Sequence, residues 1–323
     1  GEKTQTVVTP NLSIDSLIYV DDIGMAGKVE DIEEVGRKLK MMEEEKRFTF
    51  NNEQGKTNYM IIKTGKEEKQ KPNIVVKKGK VMETTKYKYL GNWLNDKGNI
   101  ELQLEELEKK VNMFATEVRK LGKEELLGAL STEAMIMIYE KTVVPTITYN
   151  LECWTHIDEK NAERIEKIQG GILRKALNLP ATTPYWGILK ELGIWPLEKK
   201  ILYQRMMLYE SMIKSEAGRL GRKVIEAQKT TCLRNNWYKQ TEREARKSRI
   251  DLEQAETRST EAWKKMVKDK IQEKVEQQWD EKQNRKRKTR HQVGQKFERK
   301  NYLRKMGIKE ASRTIIRRLE MLD

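Results

Sequence analysis

Two neighbouring carboxylates, Asp21 and Asp22, interrupt an apolar stretch that reads LIYV (17–20) before them and IGMA (23–26) after them. Adjacent carboxylates at a turn repel each other unless they share something positive. A hard divalent cation is the usual solution, and Mg²⁺ takes few protein carboxylates together with substrate phosphates. A pair of such ions clamps the attacking and leaving oxygens in phosphoryl or nucleotidyl transfer. A plain solvated turn has the same composition, so the pair alone leaves both readings open. Other chemistry is poorly supplied. Cys153-x-x-His156 has half a zinc spacing but no partner pair nearby, and no zinc is expected. The glycines make neither GxGxxG nor GxxxxGK[ST], and there is no Gly-x-Ser-x-Gly elbow or His-x-x-x-His pair. Dinucleotide-binding, P-loop, serine-hydrolase and zinc-protease readings are therefore unsupported. Acid pairs such as Glu105-Glu106, one turn before Lys109 and Lys110, are ordinary helix-surface patterning.

Short elements must position that turn. The two apolar runs around Asp21-Asp22 predict a β-hairpin, although Asp-Asp is not the preferred turn pair. Ile32, Val35, Leu39 and Met42 recur at helical spacing in a charged stretch and predict a surface helix. YMIIK (59–63), IVVKK (74–78) and KYKYLGNWL (86–94) read as strands, with Gly91 as a bulge or a close backbone approach. From residue 100 the pattern turns helical. Leu104, Leu107, Val111, Phe114, Val118 and Leu121 form a heptad-like stripe. A helix over 131–144 is capped by Ser131 and stopped by Pro145, and one over 158–178 is capped by Asp158. Pro180 and Pro184 bound a loop, and Pro196 opens a helix over 196–214. Residues 216–280 are charged and poor in apolar residues, with Trp237, Trp263, Val267, Ile271, Val275 and Trp279 as sparse anchors. They predict a long, partly exposed helix.

The chain has 323 residues, 65 basic and 50 acidic, for a net charge of +15. Mean hydropathy is −0.83. Residues 281–323 hold 15 basic and 5 acidic residues, so +10 of the excess lies there. Its densest part is Arg285, Lys286, Arg287, Lys288 and Arg290, which could neutralise several phosphates. A solvated linker or a nuclear-import signal fits the same run. No apolar run is long enough to span a membrane, no leader is expected, and two cysteines make no disulfide framework. An anionic partner in an intracellular, reducing compartment is the expectation, and nucleic acid leads the candidates.

The order of motifs then carries a resemblance. IYVDDI (18–23) resembles the aromatic-x-Asp-Asp palm turn of reverse transcriptases. NNEQGKTNYMII (51–62) looks like the following palm motif of the non-LTR (LINE-type) retrotransposon enzymes, and YKYLGNWL (87–94) like their primer grip. Residues 152–201 resemble their thumb, with Trp154, Ile165-Glu166 and Gln169, Leu173-Arg174, Leu179-Pro180, Thr183-Pro184, and Glu191-Leu192-Gly193 before Pro196. The resemblance is specific to about residue 214, and KFERKNYLRK (296–305) is only loosely like a linker of some relatives. Group II intron maturases and telomerase share the turn, but 152–201 favours the LINE type.

The resemblance implies an α+β fold. A partial polymerase palm, a small antiparallel sheet with a helix, precedes a mainly α-helical thumb and a long charged helical extension. The implied domains are 1–96 for the end of the palm with the primer grip, 97–215 for the thumb, 216–280 for a charged helical connector and 281–323 for a basic tail. The implied activity is RNA-directed DNA synthesis on a primer 3′-OH. Asp21 would hold Mg²⁺ with Asp22 as its partner. Tyr19 and Val20 would lie beside the primer terminus, and Lys56 would protonate the leaving pyrophosphate. Tyr89, Leu90 and Gly91 would grip the primer, and Arg285, Lys286, Arg287, Lys288 and Arg290 would contact nucleic acid. Core packing for Tyr89 and Leu90, and an ordinary exposed lysine for Lys56, are the plain alternatives. The implied partners are an RNA template, a DNA primer or target, deoxynucleotides and a missing N-terminal part of the polymerase, in the nucleus, with no membrane. Because a further metal-binding Asp and the fingers normally lie upstream of the turn, the chain is expected to be inactive alone. A noncatalytic nucleic-acid-binding remnant and a helical scaffold are the competing readings.

Overall fold

The computed structural model describes all residues except 1–5, 10–11, 15–16, 20–21, 47–48, 52, 54–55, 63–70, 124–130, 156, 232–235, 286–296 and 321–323; at 6–9, 12–14, 17–18, 114–115, 117–123, 283–285 and 320 it describes backbone only. Two compact units emerge, residues 1–103 with 217–233, and residues 104–216 with 234–323. The architecture is mixed and mostly helical, with strands confined to short pairs.

In the first unit, β1 (Thr6–Thr9) pairs with β2 (Leu12–Ile14), and β3 (Leu17–Tyr19) with β4 (Asp22–Gly24), both antiparallel. α1 spans Val29–Lys46. β5 (Asn58–Tyr59) runs parallel to β8 (Met82–Glu83), and β6 (Val75–Val76) forms a hairpin with β7 (Gly79–Lys80). β9 (Lys86–Tyr89) and β10 (Asn92–Asn95) form another. One small antiparallel sheet was expected; among the described residues five separate two-stranded sheets are observed, one of them parallel. Strands of two to four residues offer few ladder hydrogen bonds, and around the β6–β7 pair side chains of a neighbouring helix add support.

Helix α1 illustrates this. Its buried residues are Gly36 and Glu43, not the expected apolar set, and Met42 is exposed. Glu43 is fully buried and accepts from the backbone N–H groups of Phe50 and Lys77, both at 2.6 Å. Glu33 accepts from the N–H of Asn73 at 2.7 Å. Two carboxylates of α1 thus accept from backbone donors of the 73–77 segment. A Cβ on Gly36 would lie 2.9 Å from Ile74 Cγ2, so the glycine lets α1 approach. Ile74, Val76 and Val81 form the core beneath, with Ile32, Phe50 and Tyr59 around it. YMIIK contributes only Tyr59 to a strand.

The second unit is helical. α2 (Glu101–Lys123) begins at the end of the first unit and buries Leu104, Leu107 and Val111 of the expected stripe, whose Phe114, Val118 and Leu121 side chains lie outside the described part. α3 (Thr132–Ile138) starts at Ser131, whose Oγ accepts from Ala134 N at 3.1 Å. Pro145 does not stop this segment. A π-helical turn, Tyr139–Val143, leads into α4 (Val144–Thr148), and its wider hydrogen-bond spacing accommodates a residue with no N–H. α5 (Glu159–Ala176) is capped by Asp158 and buries Ile165, Ile168, Ile172 and Ala176 as expected. Between the prolines and Pro196 stands an unexpected helix, α6 (Tyr185–Leu192), closed by Gly193 at φ +63°. α7 (Leu197–Ile213) follows Pro196.

Among the described residues the expected long, partly exposed helix over 216–280 is divided into four helices. α8 (Leu220–Thr230) belongs to the first unit; α9 (Trp237–Lys247), α10 (Gln254–Thr257) and α11 (Thr260–Arg285) belong to the second. Trp263, Val267, Ile271, Val275 and Trp279 are fully buried along α11, which packs on α7. Burying each such side chain is worth roughly 1.5–3 kcal/mol, enough to anchor a helix whose other faces are charged.

Within the expected basic tail, the described residues 297–319 are packed. Phe297, Leu303, Ala311, Ile315 and Leu319 are buried, and α12 (Ile308–Glu320) packs on α6. Tyr302 donates to Glu191 Oε2 at 2.6 Å, and Arg318 Nε donates to the same oxygen at 3.1 Å. A Cβ on Gly193 would lie 2.2 Å from Arg299 N, so only glycine admits the returning backbone there. Apolar periodicity in IKEASRTIIRRL outweighs its charge.

Candidate functional site

The acidic turn is a β-hairpin, shifted by one residue from the expected break. The register pairs Leu17 with Gly24, Ile18 with Ile23 and Tyr19 with Asp22. Asp22 is therefore the first residue of β4, and Val20 and Asp21 lie outside the described residues. Tyr19 and Asp22 are exposed.

The Tyr-Leu-Gly segment is a second hairpin rather than one strand with a bulge. Tyr89 pairs with Asn92, and the two loop residues, Leu90 and Gly91, have φ of +45° and +83°. A tight I′-type hairpin requires positive φ at both positions. For a bulky residue such as Leu90 that conformation is strained, so its surroundings must hold it. Trp93 N donates to Gln103 Oε1 at 2.8 Å, which fixes β10 to the start of α2.

These hairpins meet. A Cβ on Gly24 would lie 3.1 Å from the Tyr89 hydroxyl oxygen and 3.2 Å from its Cζ. The Tyr89 ring thus packs on the strand that begins with Asp22. The Lys56 segment joins through a residue that sequence reasoning passed over. Tyr87 donates its hydroxyl hydrogen to the Lys56 carbonyl at 2.7 Å. Burial raises the Tyr87 hydroxyl above its ordinary range, and the nearby Asp22 charge and Tyr89 add to the effect. The clue was present in KYKY, where period-2 alternation puts both tyrosines on one face and Lys86 and Lys88 on the exposed one. The Lys56 segment is folded locally. Asn51 Oδ1 accepts from Glu53 N at 3.0 Å, the Asn51 carbonyl accepts from the Thr57 hydroxyl at 2.5 Å, and Lys56 N donates to Glu53 O at 3.0 Å. The Lys56 side chain is exposed.

Of the acidic pair, Asp22 alone is described. Among the described residues no group of three His, Cys, Asp or Glu side chains is placed to hold a metal ion. The described donors do not by themselves amount to a two-ion site, which needs bridging carboxylates. Lys286, Arg287, Lys288 and Arg290 lie outside the described residues, and Arg285 ends α11 with only its backbone described. The same holds for His156 and Cys232; Cys153 is an exposed free thiol. Among the described residues no helix is long and apolar enough to cross a membrane.

In the second unit the motif residues of 165–193 are structural. Gln169 is fully buried and donates to the Tyr139 hydroxyl and the Trp195 carbonyl, both at 2.9 Å. Its Oε1 accepts from Tyr185 at 2.5 Å and from Leu197 N at 2.8 Å. Arg174 clamps the Thr183 carbonyl through Nε at 2.9 Å and an Nη at 2.8 Å. Both side chains tie the loop around α6 to α5, so these residue types follow from folding requirements alone. No protein-family model, curated protein or solved structure matches the chain.

Proposed function

We propose that the chain is the palm end, primer grip, thumb and basic extension of an RNA-directed DNA polymerase of the non-LTR retrotransposon type. The observation that carries the reading is the convergence of three sequence-distant motifs at one place. The strand starting at Asp22 meets the Tyr89 ring, and Tyr87 of the same β9 holds the Lys56 carbonyl. On this reading the arrangement would bring a primer 3′ end beside the acidic turn, and positioning supplies much of such an enzyme's rate. Tyr19 would border the primer terminus, and the Tyr89-Leu90-Gly91 turn would press on its backbone. Mg²⁺, when bound, would supply charge stabilisation for the attacking and leaving oxygens; further carboxylates beyond Asp22 are needed to hold it.

The test is binding of a template–primer with a recessed 3′ end, with and without Mg²⁺, to the wild-type chain and to Asp21→Ala. The polymerase reading expects a Mg²⁺-dependent preference for the recessed end that Asp21→Ala abolishes. It also expects no primer extension by the chain alone. Binding indifferent to both Mg²⁺ and Asp21 would instead support a noncatalytic RNA- or DNA-binding remnant.

A further inference from the structure

We propose that α12 is a docking platform for the phosphate backbone of a nucleic-acid duplex. The helix separates its basic residues into two sets. Arg318, on the packed side, is committed to Glu191. Lys309, Arg313 and Arg317 are exposed at i, i+4 and i+8, and Arg304 and Lys305 are exposed just before the helix. The row spans about 12 Å along the helix axis.

Several helical cations elsewhere in the chain are partnered in the ordinary way. Lys38 pairs with Glu34, Arg222 with Glu226, Arg246 with Glu242, and Lys247 with Glu244. Among the described residues the α12 row has no such ion pair; Glu310 lies beside it, and the side chain of Glu320 is outside the described part. The row is also held rigidly. Ala311, Ile315 and Leu319 are buried beneath it, and Leu319 fills the space over Gly187, where a Cβ would lie 2.6 Å from Leu319 Cδ2.

The nature of the face selects the occupant. Among the described side chains of α12 the exposed ones are Lys309, Glu310, Arg313 and Arg317, none of them apolar or aromatic. A protein partner needs an apolar or aromatic anchor at the centre of its interface. A single strand needs rings on which to stack its bases. A duplex, with its bases covered, needs only charge, and it presents about one phosphate charge per 1.7 Å of axis. The inference extends the nucleic-acid reading above but does not rest on the acidic turn or on a metal.

The experiment measures affinity for a blunt duplex in EDTA, between about 50 and 200 mM salt. The triple variant Lys309→Gln, Arg313→Gln, Arg317→Gln should flatten the slope of log K against log [salt] by about 2.7, since each lost phosphate contact removes about 0.9. Arg313→Gln alone should remove about 0.9. The charge-matched variant Lys40→Gln, Lys78→Gln, Lys97→Gln, in the first unit, should leave the slope unchanged, and circular dichroism should match wild type for all three. An unchanged slope in the α12 variants, an equal loss in the matched variant, or failure of the wild type to bind the duplex overturns the proposal. So does polyglutamate that binds as tightly as duplex and is lost in the same variants, which would assign the row to an acidic protein. Because the duplex is blunt and metal is absent, failure here is distinct from failure of the polymerase reading.

Discussion

Gly24→Ala probes the contact on which the candidate site depends. Gly24 has no positive φ, so the substitution carries no backbone strain. In open space it would stabilise by about 0.4–1 kcal/mol through the unfolded chain. The new Cβ, however, would stand 3.1 and 3.2 Å from Tyr89 Oη and Cζ. Either the ring or the hairpin must yield by a few tenths of an ångström, and overpacking of this kind costs about 1–3 kcal/mol. The net expectation is destabilisation of about 1 kcal/mol in the wild-type background. In a Tyr89→Ala background the obstacle is gone, and the same change should become neutral or stabilising. The coupling between the two sites should therefore be about 1–3 kcal/mol, well above the noise of additive positions. Hydrogen exchange followed by mass spectrometry on peptides covering 17–24 and 86–95 reads local opening of both hairpins. If Gly24→Ala has the same effect with and without the Tyr89 ring, the two hairpins do not touch and the site does not exist as described.

Three further outcomes follow from the second unit. Gly193→Ala should cost about 3 kcal/mol or more, because a left-handed φ costs about 1–2 by itself and the Cβ collides with backbone at Arg299; lost exchange protection over 297–307 would register it. Gln169→Leu should cost about 3–6 kcal/mol in urea unfolding, since it orphans the Leu197 N–H, the Trp195 carbonyl and two tyrosine hydroxyls inside the core. Lys190, nearly fully buried with its Nζ 4.5 Å from the Trp279 ring centroid, has its pKa lowered to about 8, first by burial and then by Lys300. The unfolded chain then binds more protons between about pH 8 and its ordinary 10.5, so wild-type stability rises through that window. Lys190→Met should accordingly be more stable than wild type at pH 7, with an advantage that shrinks as pH approaches 10; a constant or growing advantage contradicts the burial penalty.

Helices with strong apolar periodicity were legible in the sequence. The Ser131 and Asp158 caps, the α5 face and the opening of α7 after Pro196 all occur as their residues indicate. Less legible were elements whose determinants lie elsewhere in the chain. α6 is hidden because Pro184 and Gly193 bracket only eight residues, and its register depends on Gln169, Arg174 and the returning 297–319 segment. The helix α1 looked like a surface helix because its buried anchor is a carboxylate, Glu43, whose partners are backbone donors far along the chain. The five α11 anchors were read as sparse, and they are, but two tryptophans among them bury enough area to fix the helix. At the candidate site the hairpin pattern of 17–26 was visible, while the one-residue shift that moves Asp22 into the strand was not, since either register alternates apolar residues. Tyr87 escaped notice because its contribution is a hydroxyl to a backbone carbonyl, which no side-chain motif encodes.

The central claim, that the Asp22 and Tyr89 hairpins together receive a primer end, is tested most directly by photocrosslinking. A template–primer carrying a photoreactive 3′-terminal nucleotide is irradiated on the full chain with Mg²⁺, and the attachment sites are mapped by mass spectrometry. The account predicts adducts in both peptides, 17–24 and 86–95, that disappear when the reactive group is moved to the primer 5′ end. Adducts confined to other segments, or insensitive to which end carries the group, would contradict it.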